Sequence, residues 1–192
     1  MKTLLILMTT LLLPAVALAE ETKVLYARCN IRLHDEKITQ ENWLADPVGI
    51  SAGTKIISAK REKGEEFTFR ITLEDGRKFK MPEEWAGKYI QDNLPALDVL
   101  PPEFKYAVKN AEPAIGMTKE QVSFSMCVPA YTLIAANPVM KRADGMEKTE
   151  GMPLAEIMKK PFWVYQRKRF GKKLVVEFGE DGLVKKVFWW ML

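Results

Sequence analysis

Apolar and polar residues alternate over several short stretches of this chain, and a period of two marks strands with one face turned to a core. Phe67 to Leu73 reads F-T-F-R-I-T-L, and after Glu74-Asp75-Gly76 the chain returns as R-K-F-K-M from Arg77 to Met81. Asp75-Gly76 predicts a hairpin between them, because glycine enters the positive-φ region that a tight reversal needs. Thr54 to Arg61 predicts a strand leaving the Gly53 turn. Lys23 to Leu33, with Val24, Leu25, Tyr26, Ile31 and Leu33, predicts the first strand. Residues 20 to about 82 are thus expected to form a small β meander. Pro82-Glu83-Glu84 then predicts a helix start, with proline at an early position and carboxylates near the positive end of the dipole. Trp85 and Ile90 are its expected buried stripe.

Pro95, Pro101 and Pro102 interrupt helices and ladders alike, which places a domain boundary there. Beyond it, Phe104, Ala107, Val108 and Ala111 recur at helical spacing until Pro113. Thr118-Lys119-Glu120-Gln121 predicts a capping box, Thr hydroxyl and Gln amide each satisfying a backbone N–H, ahead of a helix to about Met126. Tyr131 to Ala135 predicts a strand, and a polar loop follows from Asn137 to Pro153. Three strands are expected in close succession at Phe162 to Lys168, Lys173 to Phe178 and Leu183 to Trp190, joined by turn-forming residues. The organisation read from this pattern is an export segment at 1–19, a β unit with a trailing helix at 20–95, and an α+β unit at 102–192.

The export reading rests on Lys2, the apolar run Leu4 to Leu13, and Ala17-Leu18-Ala19 ahead of Glu20, which has the small-residue form of a cleavage site. Cleavage after Ala19 sends the mature chain to the periplasm or outside the cell. The nearest cysteine, Cys29, follows the bulky Arg28, so no lipid-attachment cysteine is expected. No later stretch approaches the roughly 20 apolar residues of a membrane-spanning helix, so the mature chain is not expected to be integral to the membrane. With 47 % hydrophobic and 28 % charged residues it has the composition of a folded globular chain. Losing Lys2 takes the net charge from +4 to +3, which is mildly basic. No nucleic-acid reader motif accompanies that charge, and no nucleic-acid partner is expected.

Ile115-Gly116-Met117-Thr118-Lys119-Glu120-Gln121-Val122, then Cys127-Val128-Pro129, Trp163-Val164-Tyr165, Leu174-Val175-Val176-Glu177-Phe178 and Gly182-Leu183-Val184 stand in a fixed order. This constellation resembles the SmpA/OmlA (BamE-like) domain family over residues 103 to 188. The resemblance implies two short helices on a three-stranded antiparallel sheet. Cys127 stands where that family usually has glycine. Leu25 to Arg32 and Gly53-Thr54-Lys55-Ile56 resemble bacterial SH3-like domains. The expected fold is therefore α+β, a small N-terminal β (SH3-like) unit followed by a two-helix, three-stranded antiparallel (BamE-like) domain. Both resemblances imply binding or assembly in the cell envelope, as adaptors, scaffolds or inhibitors.

Candidate chemistry is sparse. Cys29, Cys127 and His34 are the chain's complete set of cysteine and histidine, too few for a zinc, haem or iron–sulfur centre, and no cofactor is expected. An exported chain with two cysteines suggests a Cys29–Cys127 disulfide, against the alternative of two buried thiols. His34 lies an odd number of residues from Cys29, on the opposite strand face, so it reads as a solvated histidine and not a nucleophile's base. Glu83-Glu84 beside Trp85 suits a glycosidase carboxylate pair, but the helix start explains the same residues. The expectation is a protein without catalysis.

Arg167, Lys168, Arg169, Lys172 and Lys173 surround Phe170 at an expected hairpin tip. Such a tip suits anionic lipid, lipopolysaccharide or an acidic partner, against the alternative of a solvated turn that protects a sheet edge. Trp189 and Trp190 fall on opposite faces of the last strand and are further candidate contacts, whereas Trp163 and Tyr165 read as core. Met117, Met126, Met140, Met146, Met152 and Met158 read as gap-fillers. The function expected is a non-catalytic exported protein that binds or scaffolds an envelope protein or anionic envelope surface. An inhibitor of a secreted or periplasmic enzyme and a cell-wall glycan binder are the alternatives, and the oligomeric state is left open.

Overall fold

The computed structural model describes residues 24–35, 37–38, 46–61, 68–134, 146–167 and 171–191. The expected export segment, the tip residues Lys168, Arg169 and Phe170, the Ala135 end of a strand, and the loop from Asn137 to 145 with its Met140 lie outside them.

Eight strands form the first sheet: β1 (Leu25–Ala27), β2 (Ile31–His34), β3 (Lys37–Ile38), β4 (Val48–Ile50), β5 (Lys55–Arg61), β6 (Thr68–Leu73), β7 (Lys78–Pro82) and β8 (Ile90–Gln91). Their order is β4-β2-β3-β7-β6-β5-β1-β8. Neighbours are antiparallel except β3 and β7, which run parallel at Lys37 and Lys80. The β6–β7 hairpin turns at Asp75-Gly76, where Gly76 has φ 86° and the Arg77 N–H donates to Asp75 Oδ1 at 3.0 Å. Ile71, Leu73, Phe79 and Met81 point inward from this hairpin, as alternation requires.

The expected first strand is broken in two. Arg28 N–H donates to the Tyr89 carbonyl and Asn30 N–H to the Phe124 carbonyl, so Arg28 to Asn30 bond to two different elements and leave the ladder. The expected helix after Pro82 is also shorter than its sequence suggests. A 3₁₀ turn at Glu83–Trp85 leads into α1 (Ala86–Tyr89), and Ile90 is already extended and paired with Ala27. Trp85 is buried and stacks on Tyr89 at 5.7 Å.

The second part contains α2 (Pro102–Lys109), α3 (Lys119–Met126), β9 (Tyr131–Leu133), β10 (Glu147–Lys148), α4 (Leu154–Ile157), β11 (Phe162–Arg167), β12 (Lys172–Phe178) and β13 (Val184–Met191). The capping box of α3 is present in both directions: Gln121 N–H donates to Thr118 Oγ1 at 3.2 Å, and Thr118 N–H to Gln121 Oε1 at 2.8 Å. The sheet is antiparallel, in the order β10-β9-β11-β12-β13.

The α+β expectation is overturned. Thirteen strands in two sheets and four short helices make the described chain mostly β, and its second part is not a two-helix, three-stranded domain. β9 and β10 extend that sheet to five strands because β9 pairs with the far side of β11, through Leu133–Phe162 and Tyr131–Val164. Strands of two or three residues have no room to display a period, so ladder pairing and not local pattern makes them.

One apolar cluster runs through both parts, from Ile31, Ile56, Ile71 and Met81 to Val122, Met126, Trp163 and Val176. Asn30 stitches the parts together at its edge. Its side-chain amide donates to the Val108 carbonyl and, at 3.1 Å, to that of Ser125, while its Oδ1 accepts from Ala52 N–H at 2.9 Å. Lys88, buried, donates from α1 to the Thr149 carbonyl at 2.7 Å. Burial lowers the pKa of this ammonium, outweighing the attraction of Glu84 and Glu150.

Candidate functional site

Cys29, just after β1, and Cys127, at the end of α3, are 98 residues apart in sequence and have their sulfurs at bonding distance and their Cα atoms 5.0 Å apart. That Cα separation suits a disulfide. Both residues are buried. Cys127 has φ 56° and ψ −161°, a region that glycine tolerates best. The Tyr165 hydroxyl donates to the Cys127 carbonyl at 2.9 Å, and complete burial holds the phenol well above its usual pKa, in the protonated form that this bond uses.

Strand β12 places Lys172 and Lys173 on opposite faces of the sheet. Lys172 pairs with Arg167 and Met191, whereas Lys173 pairs with Gln166 and Trp190. Successive residues alternate sides, so Lys173 and Trp190 share the face away from the helices with Val175 and Phe188, and Lys172 shares the helix-side face with Leu174 and Trp189. Lys173 is 8 % exposed, and burial lowers its pKa; Lys172 is exposed. Of the sequence-predicted contact residues whose side chains are described, Lys173 and Trp190 therefore share one face of the sheet and Lys172 and Trp189 the other.

Trp163 and Tyr165 are core residues. Trp163 donates to the Ile157 carbonyl at 3.1 Å and meets Phe178 edge-on at 5.0 Å. Trp189 is different, at 57 % exposed on the edge strand β13. Among the described residues, the outward edge of β13 is engaged at its start: Val184 N–H donates to the Met117 carbonyl, Gly116 N–H donates back to Val184, and Thr118 bridges to Leu183. Among the described residues, no strand lies beside β13 on that side past Val184. On the face away from the helices, Leu133, Val164 and Val175 are buried beneath Tyr131, Met146, Phe162, Phe188 and Trp190, with Lys186 Nζ 5.1 Å from the Phe188 ring. This apolar second face ends at the edge strand β13, an arrangement that the W-W pair alone signalled only in part.

Other candidates are placed as follows. His34 is exposed, with Nδ1 3.2 Å from Asp46 and Nε2 3.6 Å from Asp35, and Cys29 lies buried in the bridge. Glu83 pairs with Arg61 at the start of the 3₁₀ turn. A groove of about 530 Å³ lies between the Leu94–Leu100 segment and α3, and among the described residues Glu120 is the one ionisable residue lining it. Among the described residues no group of three or more His, Cys, Asp and Glu could hold a metal ion, and no helix is long and apolar enough to cross a membrane. Sequence reading missed a further set of cations, Lys37, Lys60, Arg70, Lys78 and Lys80. They sit at outward positions of strands it had identified, apart from β3, but their alignment is a matter of register.

No family model, characterised protein or solved structure shows a significant match to this chain.

Proposed function

We propose that the chain is a non-catalytic, exported cell-envelope protein that binds or scaffolds another envelope component through the open edge of its second sheet. The observation that carries this reading is β13, an eight-residue edge strand with Trp189 57 % exposed. Unpaired backbone N–H and C=O groups along a strand of that length are a template for an added strand, and an exposed indole beside them supplies buried area on association. Lys185 and Lys186 guard the near end of the edge against indiscriminate pairing, so a partner with acidic residues opposite them is favoured. The sequence resemblance to envelope adaptors agrees with this role.

The test is cross-linking in the native envelope, followed by purification of the tagged chain and mass spectrometry of what accompanies it. An outer-membrane or assembly partner recovered with the parent chain and lost with Trp189→Lys is the expected result. Substrate turnover by the purified chain, or recovery of one soluble enzyme in an inhibited state, would overturn it.

A further inference from the structure

The open edge of β13 comes down to three residues. Phe178 N–H donates to the Pro161 carbonyl at 2.8 Å, so Phe178, Val176, Leu174 and Lys172 turn their main-chain groups toward β11. The intervening Glu177, Val175 and Lys173 turn theirs toward β13, where they face Lys186, Phe188 and Trp190. The main-chain groups of Val187, Trp189 and Met191 therefore point away from the sheet. Val184 turns the same way and is already bonded to Gly116 and Met117, and a register shift opposite Glu177 and Phe178 separates it from these three. Among the described residues, no strand lies beside Val187, Trp189 and Met191 on that side.

We propose that this stretch pairs with the same stretch of a second copy of the chain, antiparallel about a two-fold axis at Trp189. The proposal rests on the open-edge reading of β13 and names an occupant for that edge. Trp189 then stands opposite the second copy's Trp189, and Val187 opposite its Met191. This is the one register in which all three outward residues of each copy meet outward residues, so it makes the most main-chain hydrogen bonds. Phe188 falls across from the second copy's Trp190 as a close, non-hydrogen-bonded aromatic pair. The apolar face of Leu133, Val164, Val175, Phe188 and Trp190 thereby runs on into the same face of the second copy. Trp189, 57 % exposed in the single chain, is covered at the axis.

Charge selects this arrangement. Lys186 lies three residues from the axis in each copy, which puts the two about 20 Å apart along the strands, beyond the Debye length of about 10 Å at 0.1 M salt. A parallel pairing would set each lysine beside its counterpart at about 4.8 Å, where like charges repel. A second copy covers the edge until another strand displaces it, so an envelope partner and the second copy compete for the same main-chain groups.

Sedimentation equilibrium of the intact mature chain, up to about 1 mM, tests the assignment. A monomer–dimer equilibrium in the micromolar range is expected, as a small interface gives. Trp189→Lys and Trp189→Glu each set like charges against each other at the axis, and each is expected to weaken dimerisation about tenfold or more. An equimolar mixture of the two variants is expected to associate about tenfold more tightly than either alone, because opposite charges then meet. Lys78→Gln, exposed on the first sheet, changes nothing. A parent chain that stays monomeric throughout, or a mixture no tighter than its components, overturns the proposal. Cross-linking in the envelope separates it from the functional reading: an envelope partner recovered by a chain that stays monomeric overturns the second copy alone, and a dimer without an envelope partner supports the second copy and overturns the functional reading alone.

Discussion

The two sheets obey the same alternation and use it to opposite ends. In the first, Ile71, Leu73, Phe79 and Met81 face the core, and Arg70, Lys78 and Lys80 face outward. In the second, β12 runs Leu174-Val175-Val176 with all three buried, so both of its faces are apolar. A sheet with one charged face is finished in water. A sheet with two apolar faces needs cover on both, and the aromatics gathered on β13 mark where cover by the described residues runs out. Apolar burial is thus confined to one face of the first sheet and spread over both faces of the second.

The strongest way to break this comparison is to cut what joins the sheets. Closing a loop of 98 residues contributes about 4 to 5 kcal/mol in the chain-entropy description, so Cys29→Ser is expected to lower unfolding free energy by about that much in urea melts. Cys127→Gly should cost about 1 kcal/mol less than Cys127→Ala, because glycine relaxes at φ 56° and alanine does not. Equal costs would show that the backbone there is not strained.

Asn30→Ala leaves two carbonyls and one N–H at the seam without their partner, with an expected cost of about 2 to 4 kcal/mol. If the sheets depend on each other, near- and far-ultraviolet melts of this variant stay superimposed; two separated transitions would mean that each sheet folds alone. Trp189→Lys, at an exposed edge position, is expected to change stability by no more than about 0.5 kcal/mol while abolishing partner recovery. A large drop in melting temperature would move Trp189 from recognition to packing.

The smallest effect concerns Lys88. Its folded pKa is lowered by burial, so between that lowered value and the unfolded value of about 10.4 the unfolded chain binds the additional proton, and stability rises with pH. Urea midpoints measured across mildly alkaline pH should show that upward slope, and Lys88→Met should flatten it. An unchanged slope would assign the effect to another group.

Much of the secondary structure was legible. Thr54 to Arg61, F-T-F-R-I-T-L, R-K-F-K-M and the three C-terminal strands have enough residues to display a period, and their observed counterparts differ by about a residue at each end. The Thr118–Gln121 cap was legible because both of its partners lie within one turn. β3, β4, β8 and β10, with two or three residues each, carry no period and exist because a neighbouring strand offers its backbone. The hairpin cations were legible as a group, yet Lys172 and Lys173 were bound to part company once a strand ran through them.

By itself, the sequence determined which residues alternate, where glycine and proline turn the chain, and that two cysteines leave one possible intramolecular pair. The tertiary structure decided that Cys29 meets Cys127, that Asn30 sits between the sheets, that β13 is an edge, and that Lys60, Arg70, Lys80 and Lys37 fall in one row. The physical reason is range. Alternation and capping are settled between residues a few positions apart, whereas strand order and register are set by hydrogen bonds and burial between segments far apart in the chain.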